Sequence, residues 1–262
     1  MTNKAGDFIW YELMTSDPNA AQDFYGGLIG WNYQDSGQDG VDYRQFSIGD
    51  TMIGGLMPLS DEMIQGGAQP LWTGYIGVED ADASAASIAA HGGEVLLPPQ
   101  DIPGIGRFAY VKDPQGAPFY IMRPTTSDQA SESFSKYEPK VGHCAWNELA
   151  SADPGSAKTF YSNIFGWAVA ESVDMGPIGQ YDMIKNGADR DFMFGAVMQK
   201  PDDIAVSLWT YYFRVPNIDA AVTYITEHGG QTMGEPMEIP GGEFTVMGID
   251  PQGAAFALIG SR

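Results

Sequence analysis

The first apolar rhythm along the chain has a period of two. Phe8–Met14 reads as a strand whose alternation places Trp10, Glu12 and Met14 on one face. A period of 3.6 follows, with Ala21, Phe24, Tyr25 and Leu28 at i, i+3, i+4 and i+7. Asp17-Pro18 supplies an N-cap and a first-turn proline for this helix, and Gly30 ends it. Strand-like runs near Trp31–Gln34, Tyr43–Ile48 and Met52–Met57 complete a βαβββ unit. The same order then recurs. Leu71–Val78 predicts a strand and Asp82–His91 a helix stopped by Gly92-Gly93, followed by strands at Glu94–Pro98, Arg107–Lys112 and Pro118–Arg123.

The whole pattern is then written again. WYELMTSDPNAAQDFYGGLIGW from Trp10 returns as WNELASADPGSAKTFYSNIFGW from Trp146, an offset of 136 residues. Leu-Trp-Thr recurs at Leu71 and Leu208, His-Gly-Gly at His91 and His228, and Asp-Pro-Gln-Gly at Asp113 and Asp250, now offset by 137. The drift implies a gap and an insertion near residues 54–70 and 195–207. Strands in the second half are expected at His143–Ala150, Leu208–Val215, Gln231–Met237, Thr245–Ile249 and Ala255–Ile259, with a helix at Asp219–His228. Self-similarity on this scale marks a duplicated folding unit. The expected fold is α+β: two tandem domains, each of two βαβββ units forming a cupped mixed sheet. Residues 1–124 and 141–262 are the expected domains. Residues 125–140 form a linker rich in Ser, Thr, Pro and Glu.

Charge narrows the partners. Thirteen Lys and Arg against 34 Asp and Glu give a net charge of −21, which repels phosphate backbones and anionic membranes. No apolar run is long enough to span a bilayer, and no secretory leader is visible in MTNKAGDF. The lone Cys144 cannot form an intramolecular disulfide, which fits a cytoplasmic protein and reads as a buried inert thiol. A small-molecule ligand is the expected partner, in a monomer or homodimer. No P-loop, dinucleotide fingerprint or nucleophile elbow occurs.

The capped helix ending Phe-Tyr-x-x-x-x-Gly-Trp, the paired βαβββ units and the late Asp-Pro-x-Gly turn resemble the vicinal oxygen chelate superfamily over about residues 7–124 and 141–260. That group includes glyoxalase I, bleomycin-resistance proteins, fosfomycin-resistance enzymes and extradiol dioxygenases. The resemblance implies a ligand held inside each cup and, in the enzymes, a divalent metal. Carried over position by position, the metal ligands would fall at Trp10, within 54–56, at Thr73 and at Tyr120. In the second half they would fall at Trp146, within 195–197, at Thr210 and at Ala257. None is a His, Asp, Glu or Cys, so neither a metal nor a cofactor is expected.

Alternation instead lines the first cup with Trp10, Met14, Thr73, Tyr75 and Tyr120. The second is lined with Trp146, Thr210, Tyr212 and Arg214, and Tyr43 and Tyr181 add to the respective cups. These side chains either fill the cups as core or bind a small, partly apolar ligand. Glu12 and Glu148 stand between apolar neighbours and should be buried, as structural acids or as ligand anchors or general bases. Arg214 is the expected counter-ion of Glu148, which leaves Glu12 as the free acid and the first cup as the functional one. His91 and His228 are expected to complement helix C-termini. His143 could reach a cup. Gly104-Ile105-Gly106 and Gly241-Gly242 read as loops at the cup mouths.

Overall fold

A computed structural model describes residues 3–38, 40–126, 130–202 and 204–262. The first βαβββ module comprises β1 (Phe8–Thr15), α1 (Pro18–Ile29), β2 (Asn32–Asp35), β3 (Arg44–Ile48) and β4 (Thr51–Pro58). A short helix, α2 (Asp61–Gln65), occupies the segment where the repeat register slips. The second module follows with β5 (Leu71–Gly77), α3 (Ala81–Ala90), β6 (Glu94–Ile102), β7 (Gly106–Lys112) and β8 (Pro118–Pro124). The third is β9 (Cys144–Ser151), α4 (Pro154–Phe165), β10 (Trp167–Asp174), β11 (Gln180–Asn186) and β12 (Gly195–Gln199). The fourth is β13 (Leu208–Arg214), α5 (Ile218–Glu227), β14 (Gln231–Thr232), β15 (Met237–Ile239), β16 (Glu243–Ile249) and β17 (Ala255–Gly260).

The local chemistry read from the sequence accounts for these elements. Asp17 accepts hydrogen bonds from the backbone of Asn19 and Ala20, and Gly30 closes α1 in the left-handed region. Asp153 and Gly166 do the same for α4. His91 and His228 sit at the C-caps of α3 and α5, each with Nδ1 on the carbonyl four residues back, at 2.8 and 2.9 Å. The run expected as one strand over Gln231–Met237 is broken. Gly234 takes a positive φ of 109° and Pro236 lacks a donor, so β14 and β15 pair separately with β16.

Both sheets are mixed. The first runs β2-β3-β4-β1-β5-β8-β7-β6, and the second runs β10-β11-β12-β9-β13-β17-β16-β14. β1 lies parallel to β4 and β5 to β8, while the hairpin neighbours are antiparallel. No helix among the described residues is long and apolar enough to cross a membrane.

The described residues cluster into two compact units, each built from one module of each half. One contains Met1–Ile9, Gly74–Ser131 and Trp146–Trp209; the other contains Trp10–Thr73, Glu132–Ala145 and Thr210–Arg262. Inside the first unit, Trp209 Nε1 donates to Tyr161 Oη at 2.9 Å, and Tyr161 Oη donates to Asp113 Oδ2 at 3.2 Å. The second unit repeats the relay from Trp72 through Tyr25 to Asp250, both bonds at 3.0 Å. The repeated Leu-Trp-Thr, Phe-Tyr and Asp-Pro-Gln-Gly motifs are thus one buried hydrogen-bond chain, made between modules of opposite halves. The Gly-Trp motif works likewise. Trp167 Nε1 donates to the Gly6 carbonyl at 2.9 Å, and Trp31 Nε1 to that of Gly142 at 2.7 Å.

The Asp carboxyls serve two masters. Oδ1 of Asp113 accepts the backbone N–H groups of Gln115 and Ala117, and Oδ1 of Asp250 those of Gln252 and Ala254. Burial raises both carboxyls above the usual range despite these bonds. The linker also packs. Ser133 and Phe134 are buried, and Phe134 bridges to the likewise buried Cys144.

Candidate functional site

Three of the sequence-nominated residues meet in the second half, and two are bonded in the first. On β9, Trp146 Nε1 donates to Tyr181 Oη at 2.7 Å, and Tyr181 Oη donates to Glu148 Oε2, also at 2.7 Å. Alternation places Trp146 and Glu148 on one strand face, and β11 brings Tyr181 to it. Burial first, and the neighbouring Glu148 carboxylate second, hold the Tyr181 proton far above the usual phenol range. Tyr181 therefore remains a hydrogen-bond donor at every physiological pH. In the first half, Trp10 Nε1 donates to Tyr43 Oη at 2.9 Å, although Tyr43 lies one residue before β3 rather than on it.

The two acids differ in access. Glu12 is 1% exposed, whereas Glu148 is only half-buried, contrary to the expectation that both are shut in. The strand registers show a cause. Glu12 pairs with Gly55 and Glu148 with Ala196. A Cβ on Gly55 would lie 2.0 Å from Tyr43 Oη, so the phenol occupies space that a side chain would take. In the second half Ala196 carries a methyl at the equivalent register position.

The counter-ion expected for Glu148 is engaged elsewhere. Arg214 donates through Nη1 and Nη2 to the two carboxylate oxygens of Glu243, the second bond at 3.1 Å. Glu243 was not legible as a site residue, because it reaches Arg214 only through strand register across β17. Tyr75 and Tyr120 stack at 4.3 Å with planes 12° apart, and Tyr110 lies 4.5 Å from Tyr120. Met14, Thr210 and Tyr212 are buried. Thr73 is fully buried, and its Oγ1 has no hydrogen-bond partner among the described residues. His143 Nδ1 lies 2.6 Å from the Glu132 carbonyl, and burial lowers its pKa.

A family model described as the glyoxalase/bleomycin resistance protein/dioxygenase superfamily matches residues 8–121 and 140–258. The chain belongs to this superfamily. It is 32% identical over 254 residues to CFP32 of Mycobacterium tuberculosis, a glyoxylase by name, covering 95% of this chain and 93% of that one. It is 30% identical over 266 residues to the anthracycline biosynthesis protein DnrV of Streptomyces peucetius, covering 97% and 92%. Among solved structures, its fold is similar to 2,2',3-trihydroxybiphenyl 1,2-dioxygenase from Sphingomonas wittichii, with a TM-score of 0.67, 12% identity, and coverage of 98% and 91%. The Mn(II)-bound glyoxalase of Novosphingobium aromaticivorans gives 0.63 and 14%, with coverage of 99% and 83%.

The Novosphingobium glyoxalase holds Mn(II), and the positions to which the resemblance carries the superfamily's metal ligands are poor in metal donors in this chain. Those positions, as the resemblance implies them, carry an indole at Trp10 and Trp146, hydroxyls at Thr73 and Thr210, and Tyr120 and Ala257. The Tyr120 ring stacks on Tyr75, and the Ala257 side chain has no donor atom. Among the described residues, no group of three or more His, Cys, Asp or Glu is placed to hold an ion.

Proposed function

We propose that this member of the superfamily binds a small, partly apolar or aromatic metabolite over a Trp–Tyr–Glu group, in cups that do not use a metal. The observation that carries this is the bonded set Trp146, Tyr181 and Glu148, in which Trp146 holds the position to which the resemblance carries the first metal ligand. An indole and a phenol offer flat apolar surface, and a carboxylate orients one polar ligand group. The DnrV resemblance favours an aromatic ligand, since an anthracycline is a fused-ring aromatic. Because Glu148 is only half-buried while Glu12 is shut in, we take the second half as the ligand-accepting one, a reversal of the assignment drawn from sequence. The lone buried Cys144 suits a reducing compartment, the cytoplasm.

The same partial access supports a second reading, in which Glu148 acts as a metal-independent general base of a lyase, isomerase or dioxygenase-type enzyme. Titration calorimetry with an anthracycline in the presence of EDTA tests the first reading. Saturable binding that survives the chelator and weakens in Glu148→Gln supports it. Binding that appears only after a divalent metal is added overturns it, and product formation suppressed by Glu148→Gln favours the second reading.

A further inference from the structure

The duplication allows each half to serve as a reference for the other, and at one place they diverge. Tyr33 on β2 and Val169 on β10 are equivalent positions. Tyr33 pairs in register with Phe46, which pairs with Gly54, which pairs with Tyr11. Val169 pairs with Ile184, which pairs with Gly195, which pairs with Asn147. In the first half the Tyr33 ring packs 5.8 Å from Phe46, and its edge lies 3.8 Å from where a Cβ of Gly26 would stand. Its hydroxyl is sealed from water with no hydrogen-bond partner among the described residues.

In the second half the ring is replaced by Val169, 43% exposed, and Gly26 by Ser162. The result is a hollow of about 360 Å³ lined by Lys158, Ser162, Trp167, Val169, Ile184 and Val197. Its size lies within the range of small-molecule sites. Its polar end is charged. Lys158, where the first half has Gln22, is ion-paired through Nζ with the buried Asp182, and Ser172 donates to the same carboxylate at 2.5 Å.

We propose that this hollow, beside α4 and distinct from the Trp146–Tyr181–Glu148 group, is a binding site for a small phenol. The ligand ring takes the place that the Tyr33 ring takes in the first half, and its hydroxyl meets the Lys158 ammonium. Lys158 has N–H groups beyond the one directed at Asp182, so the phenol oxygen gains a charge-assisted bond that Tyr33 lacks. This inference does not depend on the proposed function.

The test is titration of the full chain with p-cresol, followed through the methyl NMR signals of Val169, Ile184 and Val197, with toluene as the control lacking a hydroxyl. The expected result is saturable shifts at those methyls, weaker for toluene and for Lys158→Met by about three- to tenfold. Val169→Tyr rebuilds the first-half arrangement and should abolish the shifts. Tyr33→Val should create a second p-cresol site reported by the methyls of Leu56, the register counterpart of Val197, which keeps the proposal testable if Val169→Tyr fails to fold. No saturable shift at these methyls in the natural chain overturns the proposal. So does p-cresol binding that Val169→Tyr leaves unchanged. Shifts confined to the surroundings of Trp146 would show that p-cresol binds at the other site only, and would also overturn it.

Discussion

Replacing Tyr161 by Phe removes one oxygen from the centre of a buried relay. Tyr161 is 1% exposed, and its hydroxyl both receives the Trp209 indole N–H and donates to Asp113. Without it, a fully enclosed indole donor has no acceptor, at a cost of about 1–3 kcal/mol. Asp113 loses one of three donors but keeps the backbone N–H groups of Gln115 and Ala117, so its share is about 1 kcal/mol. The expected loss is therefore about 2–4 kcal/mol. For a chain of this size that corresponds to a fall in Tm of roughly 5–15 °C. Urea unfolding followed by tryptophan fluorescence measures it directly. Tyr25→Phe should cost the same within about 1 kcal/mol, because Tyr25 bridges Trp72 and Asp250 with the same connectivity. In the double variant Tyr161→Phe/Trp209→Phe the losses should fall short of additivity by about 1 kcal/mol, since the indole donor is then gone. Loss below about 0.5 kcal/mol in both single variants would refute the relay as a structural latch.

The Asp carboxyls at the ends of these relays give a pH signature. Both hold their proton more tightly folded than unfolded, so their contribution is complete below the unfolded value of about 3.9 and is lost as pH rises through the folded value. Asp113→Asn/Asp250→Asn should remove that decline from a plot of unfolding free energy against pH; an unchanged slope would count against raised carboxyls. Gly195→Ala places a Cβ 2.0 Å from the Asn147 carbonyl oxygen, and Gly54→Ala places one 2.1 Å from that of Tyr11. Each should lose about 2–3 kcal/mol in urea unfolding, and a neutral result would contradict the close strand approach. The nearest atoms to a Cβ in Gly55→Ala belong to the Tyr43 phenol, so the substitution should displace that ring and make Glu12 accessible. The check is faster derivatisation of the Glu12 carboxyl by a water-soluble carbodiimide, read by peptide mass spectrometry; an unchanged rate would show that Tyr43 does not cover it.

The duplication, the βαβββ order and the helix ends were legible because each rests on local chemistry. Asp-Pro starts, glycine stops and period-two strands are properties of neighbouring residues. The partners of Trp31, Tyr25 and Asp250 were not, because each lies more than 45 residues away and is chosen by module packing across halves. For the same reason Asp-Pro-Gln-Gly read only as a turn. At the candidate site, alternation brought Trp146, Glu148 and Tyr181 to one face, but the pairing of Arg214 with Glu243 required the β16–β17 register. The difference in access between Glu12 and Glu148 turns on one methyl group at Gly55 versus Ala196, and that has no meaning until the strands are paired.

Native mass spectrometry of the purified full chain, combined with elemental metal analysis, tests the central claim most directly. The expected result is a small organic ligand that is released on denaturation and is lost in Glu148→Gln and Tyr181→Phe, with no stoichiometric divalent metal carried through desalting. Retained zinc, manganese, iron or nickel at one per site, or an organic ligand indifferent to both substitutions, would contradict it.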